Sequence, residues 1–184
     1  MIKVGIIGTH DTRKTSLGYD LASKLKDGGI SAGFMEEVAR NLPASPGFKI
    51  NEKTTRESQI WILHSQIKRE LEYAARGDID VLFTDRTVID NWVYYLYRFK
   101  NDNPTLDSLV NYWTKTYNLL VKLPILKNKS LKADPKRAKA LKFKLGIDEL
   151  LEKELIERGI PFDYYTTRKK VIERVKALLN IKQK

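Results

Sequence analysis

Residues 1–29 read MIKVGIIGTHDTRKTSLGYDLASKLKDGG, and this stretch decides the fold. Ile2–Ile7 is a short, mostly apolar, β-branched run ending at Gly8, the pattern of a buried strand. From Lys14 the residues Leu17, Leu21 and Leu25 recur every four positions, which predicts a helix stopped by Gly28-Gly29. Between them lies Gly8-Thr9-His10-Asp11-Thr12-Arg13-Lys14-Thr15, which matches the phosphate-loop pattern G-x-x-x-x-G-K-S/T except at Arg13. Such a corner offers backbone N–H groups and a helix N-terminus to anionic phosphates. The expected nucleotide-binding residues are Gly8, Thr9, His10, Asp11, Thr12, Arg13, Lys14, Thr15 and Ser16. Lys14 would reach the β- and γ-phosphates and Thr15 would place its hydroxyl on Mg²⁺. The plainer alternative is an ordinary strand–turn–helix corner carrying a Lys. Gly at position 13 would permit an unusual φ and a close backbone approach. Arg13 therefore points away, adds a cation near the phosphates, or weakens binding.

Working outward, strand and helix patterns alternate. Ile30–Met35 is a second strand candidate, and residues 41–53, with Pro43, Pro46, Gly47 and Asn51, read as a loop. Ile60, Leu63, Ile67, Leu71 and Ala74 form a helical stripe closed near Gly77. Asp80–Thr84 reads as a buried strand, followed by a helix through Val88, Trp92, Val93, Leu96 and Phe99. Leu106–Thr116, Gly146–Arg158 and Arg168–Leu179 read as helices, with strands at Asn118–Leu123 and Phe162–Thr166. The alternation predicts an α/β fold of three layers with a five-stranded, mostly parallel sheet. The length of 184 residues predicts a single domain spanning 1–184.

Composition narrows the function classes. Hydrophobic residues at 42% and charged residues at 31% indicate a globular, water-soluble chain. No apolar run approaches 18 residues, so no membrane span is expected. Cys is absent, which excludes disulfides and thiolate chemistry and fits a cytoplasmic location. The net charge of +11 suggests a polyanionic partner, but it is localised. Residues 122–144 carry nine basic side chains and one acid, and residues 168–184 carry seven and one, so the remainder is mildly acidic.

The motifs resemble those of P-loop nucleoside and nucleotide kinases, in particular the small AAA-type ATP-binding family that includes ribosylnicotinamide kinase domains. The resemblance rests on GTHDTRKTSL at 8–17, EEVARN at 36–41, INEKTTRESQIWILHSQIKRELE at 50–72 and DRTVIDNWVYY at 85–95. ADPKRAK at 133–139 and GIPFDYYTT at 159–167 complete it. It implies a P-loop fold using ATP and Mg²⁺. It also implies a basic lid, here about 124–144, in which Arg137, beside Lys136, would spread transition-state charge.

Glu36-Glu37 stand at the carboxyl end of the second predicted strand, where ligand-facing residues of an open α/β sheet sit. Similarity to the E-x-V-A-R segment of deoxynucleoside kinases points to Glu36 as base, with Arg40 nearby and Glu37 as the neighbour that could take the role. Both could instead be helix N-terminal acids. Asp85 would hold Mg²⁺ or act as base, and Arg86 would bind phosphate oxygens; a helix cap is the alternative for Asp85. Asp90 would contact substrate or only solvent. Arg56, Gln59 and Gln66 flank the helical stripe, and Gln59 is the better match for reading an acceptor's base edge. Trp61, Tyr94 and Tyr95 read as core, and His10 and His64 carry no catalytic expectation.

The leading expectation is ATP-dependent phosphoryl transfer to a nucleoside, nucleotide or related small metabolite. One alternative is a nucleic-acid-associated P-loop ATPase or polynucleotide kinase, favoured by the basic patches. The other is an ATP-binding regulator with little turnover, suggested by Arg13.

Overall fold

The computed structural model describes residues 1–100, 102–125 and 135–182. The elements, in chain order, are β1 (Ile2–Ile7), α1 (Lys14–Asp27), β2 (Ala32–Met35), α2 (Arg56–Arg76), β3 (Val81–Asp85), α3 (Val88–Phe99) and α4 (Pro104–Thr114). They continue with β4 (Leu119–Lys122), α5 (Pro135–Glu157), β5 (Asp163–Tyr164) and α6 (Arg168–Lys182). Two short 3₁₀ turns, Val38–Asn41 and Asn51–Lys53, occupy the expected loop region after β2.

The sheet has five strands in the order β2-β3-β1-β4-β5, and every pairing is parallel. Parallel strands are covered on both faces and so read as continuous apolar runs. β1 is buried at every residue, and its side chains divide by alternation. Ile2, Val4 and Ile6 pack with α1 and α6 through Leu17, Leu21, Leu25, Val171 and Val175. Ile7 faces the other layer, where Trp92, Val93, Val110, Ile147 and Leu151 form the core of α3, α4 and α5. The outcome is a three-layer α/β/α fold.

Two elements depart from expectation. The stripe of α2 was to carry Leu71 inward, yet Leu71 is 54% exposed. The buried residues of α2 are Ser58, Gln59, Ile62, Leu63, Gln66 and Glu70. Polar groups are buried here because each has partners from distant elements. Glu70 accepts from Lys3 Nζ at 2.6 Å, Trp113 Nε1 at 2.8 Å, Gln66 Nε2 at 2.9 Å and the Tyr117 hydroxyl. The Lys3 ammonium also lies 4.5 Å from the Tyr117 ring centroid and 4.8 Å from that of Trp113.

The second departure is α5. Its helix was expected from Gly146, with a lid before it, but it runs from Pro135. Residues 135–144 of the expected lid are therefore helical backbone, and residues 126–134 lie outside the described residues. Gly146 is inside the helix rather than at its start, because α5 approaches α3 closely there. A Cβ at Gly146 would come within 2.7 Å of the Tyr97 ring.

Removing Glu70 strands a buried ammonium and three further donors. Glu70→Ala is expected to cost about 3 kcal/mol or more and to lower Tm by roughly 6–12 °C. Glu72→Ala, which breaks an exposed pair with Lys68, should stay within about 0.5 kcal/mol. Thermal and urea denaturation of the two variants measure the difference.

Candidate functional site

The sheet register brings three chain segments to one edge. Ile6 lies beside Asp85 and Met35 beside Thr84, so β1, β2 and β3 end nearly flush. The loop 8–15, Glu36-Glu37 and Asp85-Arg86 leave the sheet together, at the carboxyl ends where α/β sheets bind ligands.

The loop closes on itself. Gly8 has φ +136, and a Cβ there would stand 3.1 Å from the Leu123 carbonyl oxygen, so glycine is required. Thr12 donates its hydroxyl to the Thr9 carbonyl at 3.0 Å. Lys14 is buried and donates to the same carbonyl at 2.5 Å and to Thr12 Oγ1 at 3.2 Å. Burial, with the charge of Arg86 nearby, lowers the Lys14 pKa to about 8. His10 Nδ1 lies 3.3 Å from the Tyr94 hydroxyl. Its pKa falls to about 4 through burial and then the Lys144 charge, so it is neutral at neutral pH. Asp11 receives Lys144 Nζ from α5 at 2.5 Å. Arg13 and Ser16 are exposed.

Arg13 resolves the departure from the pattern. It caps α1 with φ 64 and ψ 28, the left-handed region, and its side chain is exposed. The backbone thus keeps the shape that glycine takes freely, at a cost of about 1–2 kcal/mol for an L side chain.

At the loop's end the Thr15 hydroxyl donates to Asp85 Oδ2. Asp85 is 1% exposed, and its Oδ1 has no hydrogen-bond partner. Burial raises its pKa although the Thr15 hydroxyl and Lys14 oppose that. One hydroxyl and one carboxylate with a vacant buried oxygen suit a hard cation that takes its remaining ligands from phosphate and water, as Mg²⁺ does. No cluster of three or more His, Cys, Asp or Glu side chains suited to a metal occurs among the described residues. Arg40 donates to Thr15 Oγ1 at 3.0 Å and lies 3.9 Å from Glu37.

Asp85 is not the cap of α3. That role falls to Thr87 and Asp90, which form a capping box. Asp90 accepts the Thr87 N–H at 2.9 Å, the Thr87 hydroxyl at 2.8 Å and the Gly8 N–H at 3.0 Å. At 2% exposure it faces neither substrate nor solvent but ties the loop to the start of α3.

Arg86 has φ 73, and Gln66 Nε2 donates to its carbonyl at 3.2 Å. Its Nε donates to Glu37 Oε1 at 2.5 Å, and its guanidinium lies 4.9 Å from the Tyr94 ring centroid. Its NH1 is buried without a partner. Burial pushes the Glu37 pKa up, but the Arg86 charge and hydrogen bond outweigh it and hold the carboxyl below the usual range. A small cavity of about 30 Å³ lies against this pair, lined by Gln59, Asn91, Tyr94 and Asn51 among others. Gln59 donates to Thr54 Oγ1 at 2.7 Å, while its Oε1 and the Nδ2 of Asn91 are both buried without partners. That leaves one acceptor and one donor for a ligand.

Glu36 stands at the margin of this cluster, 4.0 Å from Arg40 and not among the residues lining the cavity. Its side chain is 44% exposed and accepts from the Tyr19 hydroxyl. Arg56 is engaged by Asp102 and stacks on Phe99 at 4.6 Å, away from the cavity. Arg137 lies on the first turns of α5, and its side chain is outside the described residues. Asn91 was missed in the sequence. The signal was two polar residues, Asp90-Asn91, inside the apolar run Val88–Val93.

The phosphate-loop corner between β1 and α1, the Thr15–Asp85 pair and the parallel sheet order β2-β3-β1-β4-β5 define a P-loop α/β fold. The chain belongs to the AAA domain family, which matches residues 3–173. NadR protein in complex with NAD and AMP-PNP shares the fold with TM-score 0.67 and 21% identity, covering 97% of this chain and 49% of that one. The chain therefore spans about half the length of that protein. Thymidylate kinase from Ehrlichia chaffeensis superposes with TM-score 0.64 and 12% identity over 97% of this chain and 98% of that one. Deoxyadenosine kinase from M. mycoides with bound dATP does so with TM-score 0.58 and 16% identity, covering 98% and 100%. No curated protein matches the sequence. No helix among the described residues is long and apolar enough to cross a membrane.

Two outcomes follow from the loop. Arg13→Gly relieves the left-handed torsion, offset in part by added freedom of the unfolded chain. It should raise stability by up to about 1 kcal/mol, read as a higher Tm. Lys14 has the opposite effect on fold and ligand. With the folded value near 8 and the ordinary value at 10.5, the unfolded chain binds more protons between them, so the unliganded fold gains stability as pH rises. Phosphate affinity needs the cation and should fall above pH 8. Titration with a non-hydrolysable ATP analogue from pH 7 to 9.5 measures this, and Lys14→Met should flatten the profile.

Proposed function

We propose that this protein transfers the γ-phosphoryl group of ATP to a hydroxyl or phosphate of a nucleoside-like small molecule. The observation that carries the proposal is the Glu37–Arg86 pair, with its vacant guanidinium nitrogen, standing beside both the phosphate loop and a cavity with an unpaired donor and acceptor. The neighbours named as complexes with AMP-PNP and with dATP support nucleotide use.

The loop N–H groups and Lys14 hold the β- and γ-phosphates. Thr15 and Asp85 would hold Mg²⁺, which would supply charge neutralisation at those phosphates. The acceptor oxygen attacks the γ-phosphorus, a new P–O bond forms, the bond to the β-phosphate oxygen breaks and ADP leaves. For a hydroxyl acceptor, Glu37 receives the proton. It is the carboxylate suited to this because it borders the cavity and Arg86 keeps it ionised. Of the two adjacent acids that the sequence offers for the role, Glu36 is the more exposed, at 44% against 23% for Glu37. The NH1 of Arg86 donates to a phosphoryl oxygen as charge shifts, and Arg137 of α5 is the further cation proposed for that charge. Gln59 and Asn91 orient the acceptor.

A coupled assay of ADP release across a panel of nucleosides and nucleotides tests this. Release should depend on acceptor and vanish in Lys14→Ala. Glu37→Gln should lower kcat by about 10²–10⁴-fold, whereas Glu36→Gln should stay within about threefold of the parent, since Glu36 neither lines the cavity nor bonds Arg86. Hydrolysis that ignores the acceptor throughout the panel would overturn the proposal.

A further inference from the structure

A second cavity of about 320 Å³ adjoins the first, and Tyr94 and Asn51 line both. It lies between α3 and the first half of α5. Tyr94, Tyr97 and Phe143 form its apolar walls. Phe143 meets Tyr97 edge-on, with centroids 5.2 Å apart at 90°, and Tyr94 at 5.9 Å. The Tyr97 ring lies against Gly146, where a Cβ would come within 2.7 Å of it. The exposed cations Arg98, on α3, and Lys142, on α5, also line the cavity, together with the carboxylate of Glu52.

Neither cation makes an ion pair among the described residues, although nearby bases do. Lys144 is bound to Asp11, and Lys122 to Asp148 at 2.7 Å and Glu152 at 3.3 Å. The proposed phosphoryl transfer uses Lys14, Arg86 and Arg137, and leaves these two cations without a role. Two unpaired cations beside aromatic walls suit a flat group that carries negative charge.

We infer that the acceptor carries an anionic group, phosphate or carboxylate, remote from the atom it presents to Glu37, and that this group lies between Arg98 and Lys142. This rests on the proposed acceptor site at Glu37 and adds the chemical class of its occupant. A neutral nucleoside would leave both cations unpaired, so the anion supplies selectivity among acceptors.

Matched pairs of probes test the inference by equilibrium binding in the presence of a non-hydrolysable ATP analogue. One pair is uridine and orotidine, which differ by a base carboxylate. The other is adenosine and adenosine 3′-monophosphate. In at least one pair the anionic member should bind about tenfold or more tightly than the neutral one. Arg98→Gln and Lys142→Gln should each reduce that preference, and the double variant should abolish it. Equal affinity within both pairs, no binding of any probe, or a preference unaffected by both substitutions overturns the inference. So does an oligonucleotide that displaces the probes with a steep salt dependence, because it assigns the cations to a polymer. Failure of ADP release is a separate result that concerns phosphoryl transfer, while the binding preference reads the cavity alone.

Discussion

One carboxylate holds the site in register. Asp90 takes a hydrogen bond from the first glycine of the phosphate loop and two from Thr87 at the start of α3. The loop follows β1 and the turn follows β3, so these strands are tied at their ends by a side chain as well as by the sheet ladder. Asp85 and Arg86 lie in the turn so fixed, one aimed at Thr15 and the other at Glu37. A buried carboxylate is costly unless satisfied, and here the same three bonds that satisfy it set the geometry.

A polar chain extends this constraint through the interior. Lys3, near the beginning of β1, pairs with Glu70, which accepts from Gln66, which in turn donates to the carbonyl of Arg86. The left-handed torsion of Arg86 is therefore supported from beneath. Removing a partner anywhere along the chain leaves a buried group unpaired, and the strain at Arg86 is held by an interior that is polar by necessity.

Much of the fold was legible because strands β1 and β3 are continuous apolar runs and the glycine–lysine–threonine corner has a strand before it and a helix after. The acids at the end of β2 were less legible. Glu36 and Glu37 differ by one residue at a strand end, where a single step exchanges the two faces, and only the partner Arg86 shows which one turns inward. The inner face of α2 was misjudged because apolar periodicity equates inward with apolar. Glu70 and Gln66 are inside because Lys3, Trp113 and Tyr117 converge on them, and those contacts span 43 to 67 residues. The lysine-rich segment before Gly146 looked like a lid, yet from Pro135 its backbone is helical, since the glycine serves packing against Tyr97 and stops nothing.

Arg13 shows what the glycine of a phosphate-loop pattern encodes. The requirement at that position is a torsion angle, with φ near 64, and a side chain that leads outward meets it at a modest energetic cost. Residues that enter the left-handed region with least strain, such as asparagine and aspartate, belong to the same permitted set, while β-branched residues do not. A pattern written in letters overlooks such loops; one written in backbone angles, with lysine and threonine following, would gather them.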